Sequence, residues 1–185
     1  AVGIYGRQGD KIIDEKHKHL YPEYASHLCK HWEEIARTGC ASTRTILLRT
    51  GIVLGKNKGA LKKMELPFKL GLGGPIGKGS QYMSWIHIDD MVAAINYLLQ
   101  HQSLSGTFNL TAPNPVTNSE FANRLAGCFG KKARLTTPAM LLRILLGERA
   151  DLIVYGQRVV PSLLIDAGFT FQFATLDQAF SDSYN

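Results

Sequence analysis

Trp85-Ile86-His87-Ile88-Asp89-Asp90-Met91-Val92-Ala93-Ala94-Ile95 reads as a short strand running into the start of a helix. Ile86 and Ile88 alternate with His87, and apolar residues then recur at Met91, Val92, Ile95, Leu98 and Leu99, the spacing of one helical face. Two carboxylates fall where the first backbone N–H groups of a helix lack intrahelical partners and the helix end is positive. Asp89 or Asp90 therefore reads as a cap, and the alternative reading is a catalytic pair.

Working outward, the chain alternates strand-like and helix-like segments. Ala1 to Gly6 reads as an apolar strand end entering a glycine turn, and Arg7 to Tyr21 as loop. A start on such a strand end, without Met, suggests a truncated product. Tyr24, Leu28, Cys29, Trp32, Ile35 and Ala36 recur at helical spacing after Pro22, up to Arg37, with Gly39 as the stop. Thr43 to Leu54, rich in β-branched residues and closed by Gly55, predicts a buried strand of a parallel sheet. Leu61, Met64 and Phe68 predict a helix interrupted or shifted by Pro67, and Gly71 to Gly79 a loop. Asp89 to His101 reads as helix and Gly106 to Thr111 as strand. Beyond the Pro113/Pro115 turn, a helix capped near Thr117 presents Phe121, Leu125 and Phe129. Met140 to Leu146 predicts a short apolar helix ended by Gly147, and Pro161 to Ala167 a further one. Phe169 to Phe173 alternates like an edge strand, and Leu176 to Phe180 predicts a final short helix. The class is α/β with a more irregular C-terminal part.

Composition narrows the function. With 185 residues, 45% apolar and 19% charged, the chain can bury a sizeable core and is not disordered. No apolar run reaches the roughly 20 residues that cross a bilayer, and Ala1 to Asp10 carries no signal-peptide pattern. Cys29, Cys40 and Cys128 are too scattered for a disulfide framework or zinc site and suggest reduced thiols in a cytoplasmic protein. His17, Lys18 and His19 have no second ligand set, so no metal is expected. The net charge of +6 concentrates at Lys56, Lys58, Lys62, Lys63 and Lys69, and at Lys131, Lys132 and Arg134. Apart from Phe68, no aromatic residues interleave them, so solvated faces are expected rather than nucleic-acid contacts.

A dinucleotide site needs a glycine turn between a first strand and a first helix, so that backbone amides reach the pyrophosphate. The cluster Gly71-Leu72-Gly73-Gly74-Pro75-Ile76-Gly77 lacks that setting: no apolar strand precedes it, and Pro75 removes an N–H. It reads as a loop that brings backbone close to a substrate, through Gly73 and Gly74, with Gln81 and Tyr82 just beyond as substrate contacts. His87 reads either as a structural hydrogen-bonder or as lining a substrate cleft. Arg49, beside a buried strand, reads as paired with a carboxylate or as facing a phosphate.

The Trp85–Asp90 phrase resembles the "W-I-H-x-D-D" segment of extended short-chain dehydrogenases/reductases, in the NAD-dependent epimerase-like branch. Ala1 to Gly6 resembles that family's "S-A-x-x-Y-G" segment, whose active-site serine would lie before Ala1. Leu48 to Gly55 looks like its next strand and turn, where the backbone near Val53 approaches the nicotinamide. Leu70 to Gly77 together with Trp85 to Asp90 is similar to a subgroup with a distinctive C-terminal extension, matched by Gly156 to Pro161 and Ala167 to Phe169. The resemblance implies the C-terminal part of a Rossmann-like doubly wound parallel sheet plus a smaller α/β substrate-side region. Its divisions would be residues 1–57 (cofactor domain), 58–137 (substrate side) and 138–185 (extension). It further implies a preceding N-terminal half carrying the glycine loop, NADP or NAD as cofactor, and cofactor contacts at Arg49, Gly51, Ile52 and Val53. A homodimer stays open.

The family's chemistry rests on a tyrosine followed four residues later by lysine, which lowers the phenol's pKa so that a proton can move with the hydride. Tyr24 falls at the tyrosine position, but Leu28 stands where lysine belongs. Lys30 lies two residues beyond that lysine position, about 200° around the helix from it, and should not substitute. His27 is the candidate for a proton relay. The resulting expectation is an NAD(P)-dependent oxidoreductase or epimerase-like protein acting on a small molecule, with an atypical active site. The alternatives are an NADP(H)-binding sensor without turnover and, more weakly, a basic nucleic-acid-binding module.

Overall fold

A computed structural model describes residues 1–18, 21–39, 43–56, 59–140, 144 and 154–184. Its strands are β1 (Ile12–Ile13), β2 (Ile46–Thr50), β3 (Ile52–Gly55), β4 (Tyr82–Met83), β5 (Trp85–His87), β6 (Gly106–Leu110), β7 (Val116–Thr117) and β8 (Arg158–Val159). Its helices are α1 (Tyr24–Gly39), α2 (Gly59–Lys69), α3 (Ile88–Gln100), α4 (Asn118–Cys128), α5 (Ser162–Asp166) and α6 (Leu176–Tyr184). Parallel pairs join β2 to β6, β3 to β5 and β1 to β8, while β4 and β7 run antiparallel. The intervening helices supply the crossovers that parallel neighbours require.

The strand expected over Thr43 to Leu54 is two strands with different partners. At Gly51 the backbone N–H turns to Leu110 O (3.0 Å), and Ile52 N–H donates to Ser84 O (2.8 Å). A Cβ on Gly51 would stand 2.5 Å from that same Ser84 oxygen, so only glycine permits the crossover. The Ala1–Gly6 strand end is instead a 3-10 turn over Val2–Tyr5, closed by Ile4 N–H to Ala1 O and Gly6 N–H to Gly3 O. The expected loop from Arg7 to Tyr21 contains β1, because buried Ile13 pairs with Val159. Pro67 does not interrupt α2: it lies inside the last turn, and Leu70 N–H still reaches Leu66 O (3.1 Å). The helix expected over Met140 to Leu146 lies, beyond Met140 and Ile144, outside the described residues, as do Cys40 and Lys58.

Three apolar clusters hold these pieces. One packs Leu54, Leu61, Phe68 and Trp85 against α4 and α6 through Phe121, Leu125 and Phe180. A second joins Ile86, Phe108 and Leu110 to α3 and α5 through Leu98 and Leu164. The third, of Ile4, Tyr5, Ile13, Cys29 and Val159, seats the N-terminal turn beneath α1. Thr117 caps α4 by accepting from Glu120 N–H (3.2 Å).

Candidate functional site

The Trp85–Asp90 phrase binds the C-terminal segment. The α3 cap is His87, whose Nδ1 accepts from Asp89 N–H (3.3 Å), and not either aspartate side chain. That acceptor role leaves the ring proton on Nε2, which faces Asp182 Oδ2 on α6 at 3.3 Å. His87 is buried and lies over Phe173, with ring centroids 3.8 Å apart. Asp90, also buried, accepts from Gln172 N–H and Phe173 N–H, each at 2.9 Å. These two bonds explain why Phe169 to Phe173 is not the expected edge strand. Its aromatic alternation serves packing instead: Phe169 meets Tyr97, and Phe173 meets His87. Trp85 completes the anchor with Nε1–H to Asn114 O (3.2 Å).

A cavity of about 780 Å³ opens beside the Tyr82–Ser84 edge and is in the range that holds a small ligand. Its walls are the N-terminal turn, the first two turns of α1, the break at Thr50-Gly51-Ile52, the Tyr82–Ser84 strand edge and Gly156-Gln157. Ser26 Oγ donates to Ile4 O (2.6 Å) and fixes α1 against the turn. Ser84 Oγ donates to Gln157 O (2.6 Å) and accepts from Val159 N–H (2.8 Å), which staples the returning chain to the cavity floor. Gly156 makes that return possible: its φ is +44°, and a Cβ there would collide with Tyr82 O.

Tyr24, Gly51, Ile52 and Tyr82 line this cavity together. Tyr24 is 65% exposed at the mouth, with Leu28 and Trp32 following along the same face of α1. Arg7 is the one lysine or arginine among the described lining residues. It pairs with Glu23 and lies over the Tyr155 ring at 3.5 Å. His27 is exposed and does not line the cavity. Val53 packs into the second apolar cluster. Gly73 and Gly74 pack on Phe68 and the Leu135 backbone, and Gln81 Nε2–H donates to Ile76 O (3.1 Å), all outside the cavity lining.

Arg49 sits behind the cavity, where Nε and Nη2 fork onto Glu33 at 2.7 and 2.9 Å and Nη1 donates to Tyr5 Oη at 2.9 Å. Tyr5 Oη–H donates to Asn109 Oδ1 (2.8 Å), and the Asn109 backbone N–H donates to Glu15 (2.9 Å). Burial alone would raise the Glu33 carboxyl, but the Arg49 and Arg37 guanidiniums outweigh it and hold the group below its ordinary range. Burial wins at Tyr5 and at Glu15, and both are pushed up. Arg49 is thereby committed to a structural ion pair. Sequence reasoning missed Ser84, Cys29, Trp32 and Gln157, for no local pattern marks residues that converge from three separate segments.

A family model described as a domain of unknown function, DUF1731, matches residues 137–183. An epimerase family protein of Mycobacterium leprae is 42% identical over 98% of this chain and 59% of its own length. The mouse (Mus musculus) epimerase family protein SDR39U1 is 41% identical, again over 98% of this chain and 62% of the relative. The crystal structure of the human protein of that name, solved with NADPH, superposes with a TM-score of 0.94 at 34% identity. It covers all of this chain and 63% of the other. These similarities support the epimerase-like family of extended short-chain dehydrogenases/reductases as the one this chain resembles over nearly its whole length. Its paired parallel strands and crossover helices are part of a Rossmann-like α/β fold. It spans about three fifths of the length of these relatives. Among the described residues no helix is long and apolar enough to cross a membrane, and no three His, Cys, Asp or Glu side chains are placed to hold a metal.

Proposed function

We propose that this chain forms the substrate-side wall of an NAD(P)-dependent oxidoreductase or epimerase-like enzyme acting on a small molecule. The observation that carries the reading is the cavity in which Tyr24, at the start of α1, faces the Gly51 break and the Ser84–Gln157 floor. The residues present fit the reactive end of a nicotinamide beside a small, largely apolar substrate. They do not fit a pyrophosphate, since Gly73 and Gly74 are filled by Phe68 and Leu135 and the cavity's guanidinium is matched by Glu23. In this reading the phosphate grip lies in the part of the relatives that this chain does not span.

The cofactor supplies hydride transfer when bound. Tyr24 holds or releases the proton that accompanies it, at the phenol oxygen. Ser84 and Gly51 fix the floor, and Leu28 and Trp32 exclude water along the α1 wall. His27 is exposed and outside the cavity lining, so it reaches the reaction only through solvent. Titrating the protein that carries this chain with NADPH and with NADH, followed by fluorescence, tests the reading. Saturable binding is expected, and its absence with both would sink it.

Binding without turnover is the second reading, and Leu28 favours it. No described side chain on the cavity face of α1 supplies the cation that the family's lysine provides. Tyr24→Phe separates the two. About a 100-fold loss of turnover is expected of the enzyme, whereas an unchanged rate of cofactor oxidation across a carbonyl-substrate panel favours the binder.

A further inference from the structure

Two basic segments distant in sequence form one face. Gly77 N–H donates to Thr137 O and Thr137 N–H to Pro75 O, each at 2.9 Å, so residues 75–77 run beside residue 137. A Cβ on Gly71 would lie 3.8 Å from Lys131 Cδ. This pairing sets the end of α2 and the loop after it against Lys131, Lys132 and Arg134, all of them exposed.

The same face carries exposed leucines. Leu66, Leu70 and Leu72 are 64%, 63% and 60% exposed, with Leu135 beside them at 50%. Leu66 and Leu70 stand one turn apart on the side of α2 away from buried Leu61 and Phe68, and Lys62, Lys63 and Lys69 share that side. From Gly59 to Ser80 and from Phe129 to Met140 there are seven lysines and arginines and a single carboxylate, Glu65. That carboxylate is buried and already bonded to Lys69 at 2.6 Å.

We propose that this face docks peripherally on an anionic lipid surface, with the leucines entering the interfacial layer and the cations meeting headgroup phosphates. A protein docking site gathers its apolar residues in a core depleted of charge and keeps polar groups at the rim. Here Lys62 and Lys63 flank Leu66 on α2, and Lys131 adjoins the Leu70–Leu72 turn, the interleaving of an interfacial amphipathic surface.

Co-sedimentation of the full-length protein with phosphatidylcholine vesicles, with and without about one third phosphatidylserine, tests this. Binding to the anionic vesicles alone is expected, weakening as salt rises. Combining Leu66→Ser, Leu70→Ser and Leu72→Ser should lower partitioning by at least about tenfold. Lys131→Gln and Lys132→Gln should each cost about fivefold. Leu99→Ser, at an equally exposed leucine on α3, should leave binding unchanged and serves as the control. Equal partitioning on neutral and anionic vesicles, or indifference to both sets of variants, overturns the proposal. So does a dimer in sedimentation velocity that the leucine variants dissolve, which assigns the face to a second copy. Salt-sensitive RNA binding with vesicles ignored overturns it too, by assigning the cations to a polyanion.

Discussion

The two ends of one short stretch, Tyr82 to Asp90, serve different purposes. Tyr82, Met83 and Ser84 line an open cavity, while Trp85, His87 and Asp90 are sealed beneath the C-terminal segment. The sealed end has the more specific sequence because buried polar groups must each find a partner of fixed geometry. The open end reads as ordinary because a cavity wall is assembled from remote pieces. Specific sequence here marks a structural joint, and the open cavity sits beside it.

The largest effect should come at the joint. Asp90→Ala strands the Phe173 amide and frees that of Gln172, and should cost about 3 kcal/mol in urea unfolding. The C-terminal segment should then become protease-sensitive before the rest. His87→Ala removes the α3 cap and the ring over Phe173, for a loss of about 2 kcal/mol. Unchanged midpoints for both would break the contrast. Cavity-wall changes should be nearly silent in stability: Tyr24→Phe is expected within about 0.5 kcal/mol of wild type in the same assay.

A smaller pH effect sharpens the picture behind the cavity. Glu33 has a depressed pKa in the fold, so its contribution is present above the ordinary 4.5 and is lost as pH falls through the lower folded value. Glu15 is raised, so its contribution is complete below 4.5 and is lost as pH rises through the higher folded value. Urea midpoints across mildly acidic pH should therefore fall at the acid end in the wild type but not in Glu33→Gln. Glu15→Gln should flatten the decline on the neutral side.

The helices were legible where periodicity was strong: α1, α3, α4 and α5 lie within a residue or two of the expected spans. The break at Gly51 was not, because what forbids a side chain there is the Ser84 carbonyl arriving from another strand. The α3 cap was misread because histidine is an uncommon cap beside two aspartates, and Asp90 is taken by amides from a segment far along the chain. Of the candidate site, Tyr24, Gly51 and Ile52 were expected from the family's strand and helix pattern and Tyr82 from its place after the glycine loop, and all four line the cavity. Ser84 and Gln157 were out of reach, since their role exists only once β8 returns to the floor.

The most direct test of the central claim is NADPH affinity measured by fluorescence titration in two variants, Leu28→Glu in the cavity wall and His87→Gln in the joint. A carboxylate placed among the lining residues should weaken binding at least about tenfold, because seating the uncharged dihydronicotinamide over it would strip its water, while His87→Gln should retain wild-type affinity. Full affinity in Leu28→Glu, together with lost binding in His87→Gln, would contradict the account.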